Sequence, residues 1–159
     1  MNIELLKLLG KNARLTDEQL AGMLNISVQQ VKNDIAELEN KGILRGYKAV
    51  IDWDNVSDEY VSAIIQLNVV PKADLGFEEV AQKIAGYPEV ESVYLMSGVY
   101  DLSIVVKSKS LQGVARFVAR ELSTIDSVTA TSTHFVLRRY KEMNVALCDD
   151  KTDSREYMI

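Results

Sequence analysis

The 159-residue chain has one cysteine, Cys148, and one histidine, His134. A single cysteine excludes a disulfide within the chain and a metal cluster built from several of its thiolates. So few cysteines and histidines also argue against a zinc site, a Cys/His pair or a Ser-His-Asp triad in one subunit, and neither metal nor cofactor is expected. No stretch approaches the ~18 uninterrupted apolar residues of a membrane span, and no basic segment followed by an apolar run and cleavage site opens the chain. The expectation is a cytoplasmic protein with no membrane partner. Positive charge is short as well: 18 Lys and Arg stand against 23 Asp and Glu, a net charge of −5. That balance works against attraction to phosphate.

What is present supports a folded protein. With 47% apolar and 26% charged residues a core can form, and the length suits one large domain or two small ones. Between Thr16 and Gly46 a helix-start signal is written twice, Thr16-Asp17-Glu18-Gln19 and Ser27-Val28-Gln29-Gln30, with a turn at Asn25-Ile26 between. In each, the hydroxyl can accept from the backbone N–H three residues on while the Gln reaches back, worth about 1 kcal/mol per cap. Asn25 tolerates the left-handed conformation that ends a helix, and Lys41-Gly42 stops the second one. This is the pattern of a helix-turn-helix.

The second helix carries Val31, Ile35 and Leu38 on one stripe and turns Gln29, Gln30, Lys32 and Asn33 outward. Gln and Asn side chains match the N6/N7 edge of adenine in the major groove, so Gln29, Gln30 and Asn33 are candidate base readers, with Ser27 at the helix start. Arg14, Lys32, Lys41 and Arg45 are candidate phosphate contacts, which would make double-stranded DNA a partner. A solvated helix face has the same composition. Residues 1–48 hold seven basic and six acidic side chains, so this module is near neutral and binding would need several modules acting together.

Residues 46–52 read as a short strand, and 53–59 as a polar hinge. From Val61 to Val70 apolar and mixed positions alternate with period two up to Pro71. Phe77, Val80, Ala81 and Ile84 then follow helical spacing as far as Gly86-Tyr87-Pro88. Val90 to Met96 and Leu102 to Val106 are strands joined across Ser97–Asp101, residues Leu111 to Leu122 form an amphipathic helix, and Val128 to Arg139 is the last strand. The order β-α-β-β-α-β predicts a ferredoxin-like sheet with both helices on one face. Ile64 and Val70 on the open face predict a homodimer that covers it. The expected class is therefore α+β, with 1–46 a winged-helix-like helix-turn-helix domain, 47–60 a linker strand and hinge, 61–143 the ferredoxin-like domain and 144–159 a C-terminal tail.

The helix-turn-helix, Gly46-Tyr47-x-Ala49, the Gly98-x-Tyr100-Asp101 turn and the final Val128-x-x-Thr131-x-Thr133-x-x-Val136-Leu137 strand together resemble the Lrp/AsnC family, the leucine-responsive or feast/famine regulators of bacteria and archaea. The resemblance covers roughly residues 3 to 143. It implies a DNA-binding domain, a C-terminal domain that dimerises through its sheet, and dimers that assemble further, commonly to octamers. It also implies an amino acid or similar metabolite as effector, bound between dimers. Gly98, Tyr100 and Asp101 would lie at that pocket, with Thr131 and Thr133 as polar contacts on the adjoining strand. Two departures stand out. The middle of the recognition helix is Asn33-Asp34 with Glu37 a turn later, where the family commonly has basic residues, and the hinge runs Val56-Ser57-Asp58 after Trp53, where a Gly is usual.

Three functions fit this reading. The leading one is a transcription regulator, not an enzyme, whose assembly or DNA affinity responds to an amino acid or related metabolite. A second is a ligand-binding assembly protein with little DNA affinity, motivated by Asp34 and the neutral helical module. A third is a tetrapyrrole-modifying enzyme resembling the siroheme decarboxylases, with His134, Arg138 and Arg139 as its candidates, although no carboxylate pair or nucleophile with base accompanies them.

Overall fold

Asn2, Thr16 and Ser27 each open a helix in Met1–Val50, the first of two units into which the chain divides. The structure is a computed structural model that describes residues 2–56, 60–70 and 76–147. Helix α1 is Ile3–Lys11, α2 is Asp17–Leu24 and α3 is Val28–Asn40. Thr16 forms the full reciprocal box with Gln19: Thr16 Oγ1 accepts from the Gln19 N–H at 3.2 Å, and Gln19 Oε1 accepts from the Thr16 N–H at 2.9 Å. The turn between α2 and α3 rests on Asn25 at φ 53°, ψ 46°, the left-handed conformation its short amide side chain tolerates. Helix α3 ends in a Schellman closure, with Gly42 at φ 64° donating to Glu39 O and Ile43 donating to Leu38 O. Leu5, Leu9, Leu20, Ala21, Val31 and Leu38 are the buried core of this unit. Each such leucine contributes about 1.5–3 kcal/mol of apolar burial.

Two expectations are corrected here. Ser27 Oγ accepts from the Gln30 N–H at 3.1 Å, but the Gln30 side chain turns forward to Asp34 instead of back to Ser27, so the second start signal is half a capping box. Residues 46–52 form no ladder, because a strand exists only where another edge supplies its hydrogen bonds and none of the described residues pairs with them. Helix α1 lies outside the expected pair, although Asn2 before Leu5 and Leu9 is a cap followed by helical spacing.

In the second unit, Ile51–Ile159, the strands are β1 Val61–Val69, β2 Val90–Leu95, β3 Leu102–Ser108 and β4 Val128–Phe135, in the order β2-β3-β1-β4, all antiparallel. With α4 Glu78–Ala85 and α5 Leu111–Phe117 this is the ferredoxin-like βαββαβ arrangement. Ala63, Ile65 and Leu67 in β1 pair with Val106, Ile104 and Leu102 in β3, and all six pack with Val80, Ile84, Val114, Phe117 and Leu122 from the helical layer. Tyr87 meets Phe117 edge-to-face with centroids 5.4 Å apart. The alternate residues Ser62, Ile64, Gln66 and Asn68 occupy the other face of β1, where Ile64 is 39% exposed.

The expected helix 111–122 is α-helical only to Phe117 and continues as a π-type turn over Val118–Leu122, where the Ser123 N–H bonds Val118 O. The extra residue in that turn lets Phe117 and Leu122, five apart, share the buried face, while Leu111, Ala115 and Ala119 are exposed. The last strand stops at Phe135 rather than Arg139, since its final rung to β1 is the Val136 N–H on Ser62 O and β1 begins one residue earlier. A hairpin of β5 (Lys141–Glu142) and β6 (Val145–Ala146) turns at Met143 and Asn144, both at positive φ, and so straddles the expected boundary between 143 and 144. Pro71, the hinge residues Ser57 and Asp58, Cys148 and the rest of the expected tail lie outside the described residues.

Candidate functional site

The outward face of α3 is an ordered row of amides. Ser27, Gln29, Gln30, Lys32 and Asn33 are all exposed, as are Arg14, Lys41 and Arg45. Val31 and Leu38 are buried on the opposite side of the helix and fix which way this face points. Gln29 Nε2 donates to Asn33 Oδ1 at 3.0 Å, and Gln30 Nε2 donates to Asp34 Oδ1 at 2.6 Å. Both are i, i+4 pairs, the spacing at which helix side chains meet. Ser27 is committed to the cap.

The cations on this unit differ in their surroundings. Lys41 is ion-paired with Glu37, and this hydrogen bond and the lysine charge hold the Glu37 carboxyl below the usual carboxylate range. Glu18, at the start of α2, is also held low, first by backbone hydrogen bonding, then by Thr16 and the charge of Lys32. Arg45 lies close over the Schellman turn: a Cβ added at Gly42 would stand 3.4 Å from its Nη2.

On the second unit, Gly98, Tyr100 and Asp101 are brought together in the turn between β2 and β3, and the turn is fastened to the end of β1. Asp101 Oδ2 accepts from the Val69 N–H at 2.8 Å, the Asp101 N–H donates to Leu67 O, and Met96 N–H closes the turn on Asp101 O. Asn68 Nδ2 donates to Val99 O at 2.8 Å, and Thr129 Oγ1 donates to Asn68 O at 3.2 Å. Gly98 sits at φ 158°, a conformation that L side chains rarely adopt, with no atom within 4 Å of where a Cβ would stand. Tyr100 and Asp101 are half-buried while Val99 is 84% exposed. Thr131 and Thr133 pair with Leu67 and Ile65, whose side chains are in the core, so these threonines share the helix-covered face of the edge strand β4. They adjoin the strand that holds the turn but are not part of its hydrogen-bond network.

The residues of the third reading each have partners of their own. His134 pairs across from Ile64 on the open face, with Nε2 3.1 Å from Ser132 Oγ. Arg139 donates to Ser62 Oγ at 2.6 Å and faces Glu142 at 3.7 Å, while the Arg138 guanidinium stacks over Tyr140. Sequence reasoning missed the roles of Asn2, Asp34 and Asn68, and a clamp in which Lys107 Nζ lies 4.0 Å from the Trp53 ring centroid and 4.5 Å from that of Tyr60. An Asx-type cap three residues before Leu5 was a legible signal for Asn2; nothing local announces the Lys107 clamp, since Lys107 is far in sequence from Trp53 and Tyr60.

Residues 62–146 match the family model of the Lrp/AsnC ligand binding domain, and residues 2–45 match a winged helix-turn-helix DNA-binding model. The chain belongs to the Lrp/AsnC family. Among its relatives, the uncharacterized HTH-type transcriptional regulator YugG of Bacillus subtilis is 50% identical over 139 residues, which are 87% of this chain and 84% of that one. The leucine-responsive regulatory protein of Rhizobium meliloti is 24% identical over 142 residues, covering 89% of this chain and 90% of its own. A solved transcriptional regulator of Neisseria meningitidis, in complex with L-Met, superposes with a TM-score of 0.69 at 26% identity, covering 88% of this chain and 90% of that chain. Escherichia coli AsnC shares the fold, with a TM-score of 0.65 at 21% identity over 87% of this chain and 91% of its own. Like other members of the Lrp/AsnC family, this chain joins a helix-turn-helix to a ferredoxin-like ligand-binding domain, and it is a transcription regulator of that type. No helix among the described residues is long and apolar enough to cross a membrane.

Proposed function

We propose that this protein reads double-stranded DNA through Gln29, Gln30 and Asn33 and adjusts that binding when an amino acid occupies a site at the Gly98–Asp101 turn. The observation that carries the proposal is the exposed amide face of α3, ordered by side-chain hydrogen bonds and set on the second helix of a helix-turn-helix. Amides supply paired donors and acceptors, the chemistry of base edges, and Arg14, Lys32, Lys41 and Arg45 supply charge for phosphates. At the other site the half-buried Asp101 carboxylate can accept from an ammonium, and backbone around Gly98 can donate to a carboxylate. Thr131 and Thr133, on the helix-covered side of β4, reach this site only through the pairing of β4 with β1. The L-Met bound to the Neisseria relative favours an amino acid as the ligand class.

The same reading makes the protein a non-enzymatic regulator that works in the cytoplasm as a homodimer or larger assembly, with residues 1–46 and 61–143 as its two working parts. Coupling follows if the effector binds one assembly state better, since ligand that favours one state shifts the population toward it. The competing assembly-protein reading draws on Lys41, which is already paired with Glu37, and on the acid that faces Lys32. Incubating the full chain with fragmented genomic DNA at low salt, with and without a panel of amino acids, separates the two. Enrichment of discrete fragments that changes with one amino acid is the expected result. No enrichment at low salt, with amino acid binding intact, would leave the assembly protein as the function.

A further inference from the structure

We infer that Asp34 is a positioning residue for base recognition: its carboxylate fixes the amide of Gln30 and ties it, through Asn2, to the first turn of α1. The inference rests on the reading of Gln30 as a base-contacting residue. Three hydrogen bonds form the chain. The Leu5 N–H donates to Asn2 Oδ1 at 3.1 Å, which leaves Asn2 Nδ2 to donate to Asp34 Oδ2 at 3.3 Å, and Gln30 Nε2 donates to Asp34 Oδ1 at 2.6 Å. A carboxylate only accepts, so both amides must turn their NH2 toward it, and neither can flip without setting oxygen against oxygen.

Gln30 is thereby left with its Oε1 acceptor and one further N–H, side by side, for a partner. That donor and acceptor match the N7 and N6 positions of adenine. The neighbouring Gln29–Asn33 pair lacks this constraint, because both amides can turn over together and still bond each other. Asp34 also accounts for the incomplete capping box at Ser27: the Gln30 side chain that could reach back is held one turn forward. An exposed glutamine already fixed in one orientation has less rotamer freedom to lose on binding. On this account the acid in the middle of the recognition helix serves specificity, and its cost in phosphate attraction is incidental.

The test uses the full chain and a duplex enriched from a randomised pool on the wild-type protein, together with that duplex changed one base pair at a time. Gln30→Ala marks the base pair Gln30 reads, as the position where discrimination falls by on the order of tenfold. Asp34→Asn keeps the shape but sets an NH2 against one of the two donors. It should lose most of the discrimination at that same base pair, little elsewhere, and nothing further in the Gln30→Ala background. Asn2→Ser, which can still cap α1 but is too short for Asp34, should lose part of it. If Asp34→Asn tightens every duplex equally, Asp34 acts only by repelling phosphate and the proposal is overturned. An intact Gln30→Ala effect with unaltered discrimination in Asp34→Asn also overturns it, alone. If Gln30→Ala changes no position, the base-reading assignment falls and the inference falls with it.

Discussion

The backbone N–H of Val69, the last residue of β1, donates to the carboxylate of Asp101, the residue before β3, across 2.8 Å. The regular β1–β3 ladder ends at Leu67 and Leu102, so this bond and the Asp101 N–H on Leu67 O carry the pairing one step past its last rung. The turn that bears Gly98 and Tyr100 is thus part of the sheet's hydrogen bonding. A carboxylate has lone pairs beyond the one this bond uses, so the same group can hold the turn and receive an ammonium.

Substitutions at Asp101 should separate those roles. Asp101→Asn still accepts from Val69 and should fold as the wild type, whereas Asp101→Ala leaves a half-buried N–H unpaired at a cost of about 1–3 kcal/mol. Gly98→Val has room for its Cβ, with nothing within 4 Å, but φ 158° is a conformation that L side chains rarely adopt, so this variant should be strained and lose stability. Analytical ultracentrifugation across an amino-acid panel should then show Asp101→Asn losing any effector-dependent change in size while its assembly without effector stays that of the wild type. A wild-type response from Asp101→Asn would remove its carboxylate from the effector site.

The two helix-start signals, the strand alternation of Val61–Val69 and the split βαβ order were legible because each depends on residues near one another in sequence. Where the reading departed from the structure, the deciding contact was distant. Gln30 obeys Asp34 and Asn2 rather than Ser27, and β4 ends where β1 stops supplying partners, not where its own residues cease to favour a strand. The π-type turn after Phe117 is set by the need to bury Phe117 and Leu122 together, and a period of 3.6 applied along the helix cannot foresee it. The candidate DNA face was legible as composition, but its hydrogen-bond order was not.

Trp53 is the one tryptophan of the chain, which makes the Lys107 clamp readable by fluorescence. Lys107→Met keeps the apolar stem and removes the ammonium from the faces of Trp53 and Tyr60. It should shift the emission, raise acrylamide quenching and lower unfolding stability by about 0.5–1 kcal/mol. Unchanged emission and quenching would show that the charge does not hold these rings.

Alkaline stability should report on Tyr87. Burial first, then the charge and hydrogen bond of Glu121, raise its pKa above the ordinary 10.0. The folded state therefore favours the protonated phenol. Its contribution is complete below the unfolded value and is lost as pH rises through the higher folded one. Tyr87→Phe keeps the edge-to-face contact with Phe117 and removes the titration, so its urea midpoint should fall less between about pH 9 and about pH 11 than the wild type's. An equal fall in both proteins would place the alkaline sensitivity elsewhere, with Tyr47, raised by burial and by Glu39, the next residue to substitute.

The ion pair of Lys41 with Glu37 bears on how strongly the helical module holds any duplex. An ammonium engaged by a carboxylate must give up that partner before it neutralises a phosphate, and the carboxylate that remains then repels the backbone. Glu37→Gln removes both obstacles and leaves the α3 core residues Val31 and Leu38 untouched. Random-sequence binding should therefore tighten, and the slope of log affinity against log salt should steepen by about one unit or less, the amount one new phosphate contact contributes. Lys41→Ala in the Glu37→Gln background should return the slope to its starting value. An unchanged slope in Glu37→Gln would mean that Lys41 faces away from the duplex, leaving Arg14, Lys32 and Arg45 as the candidate phosphate contacts of this unit.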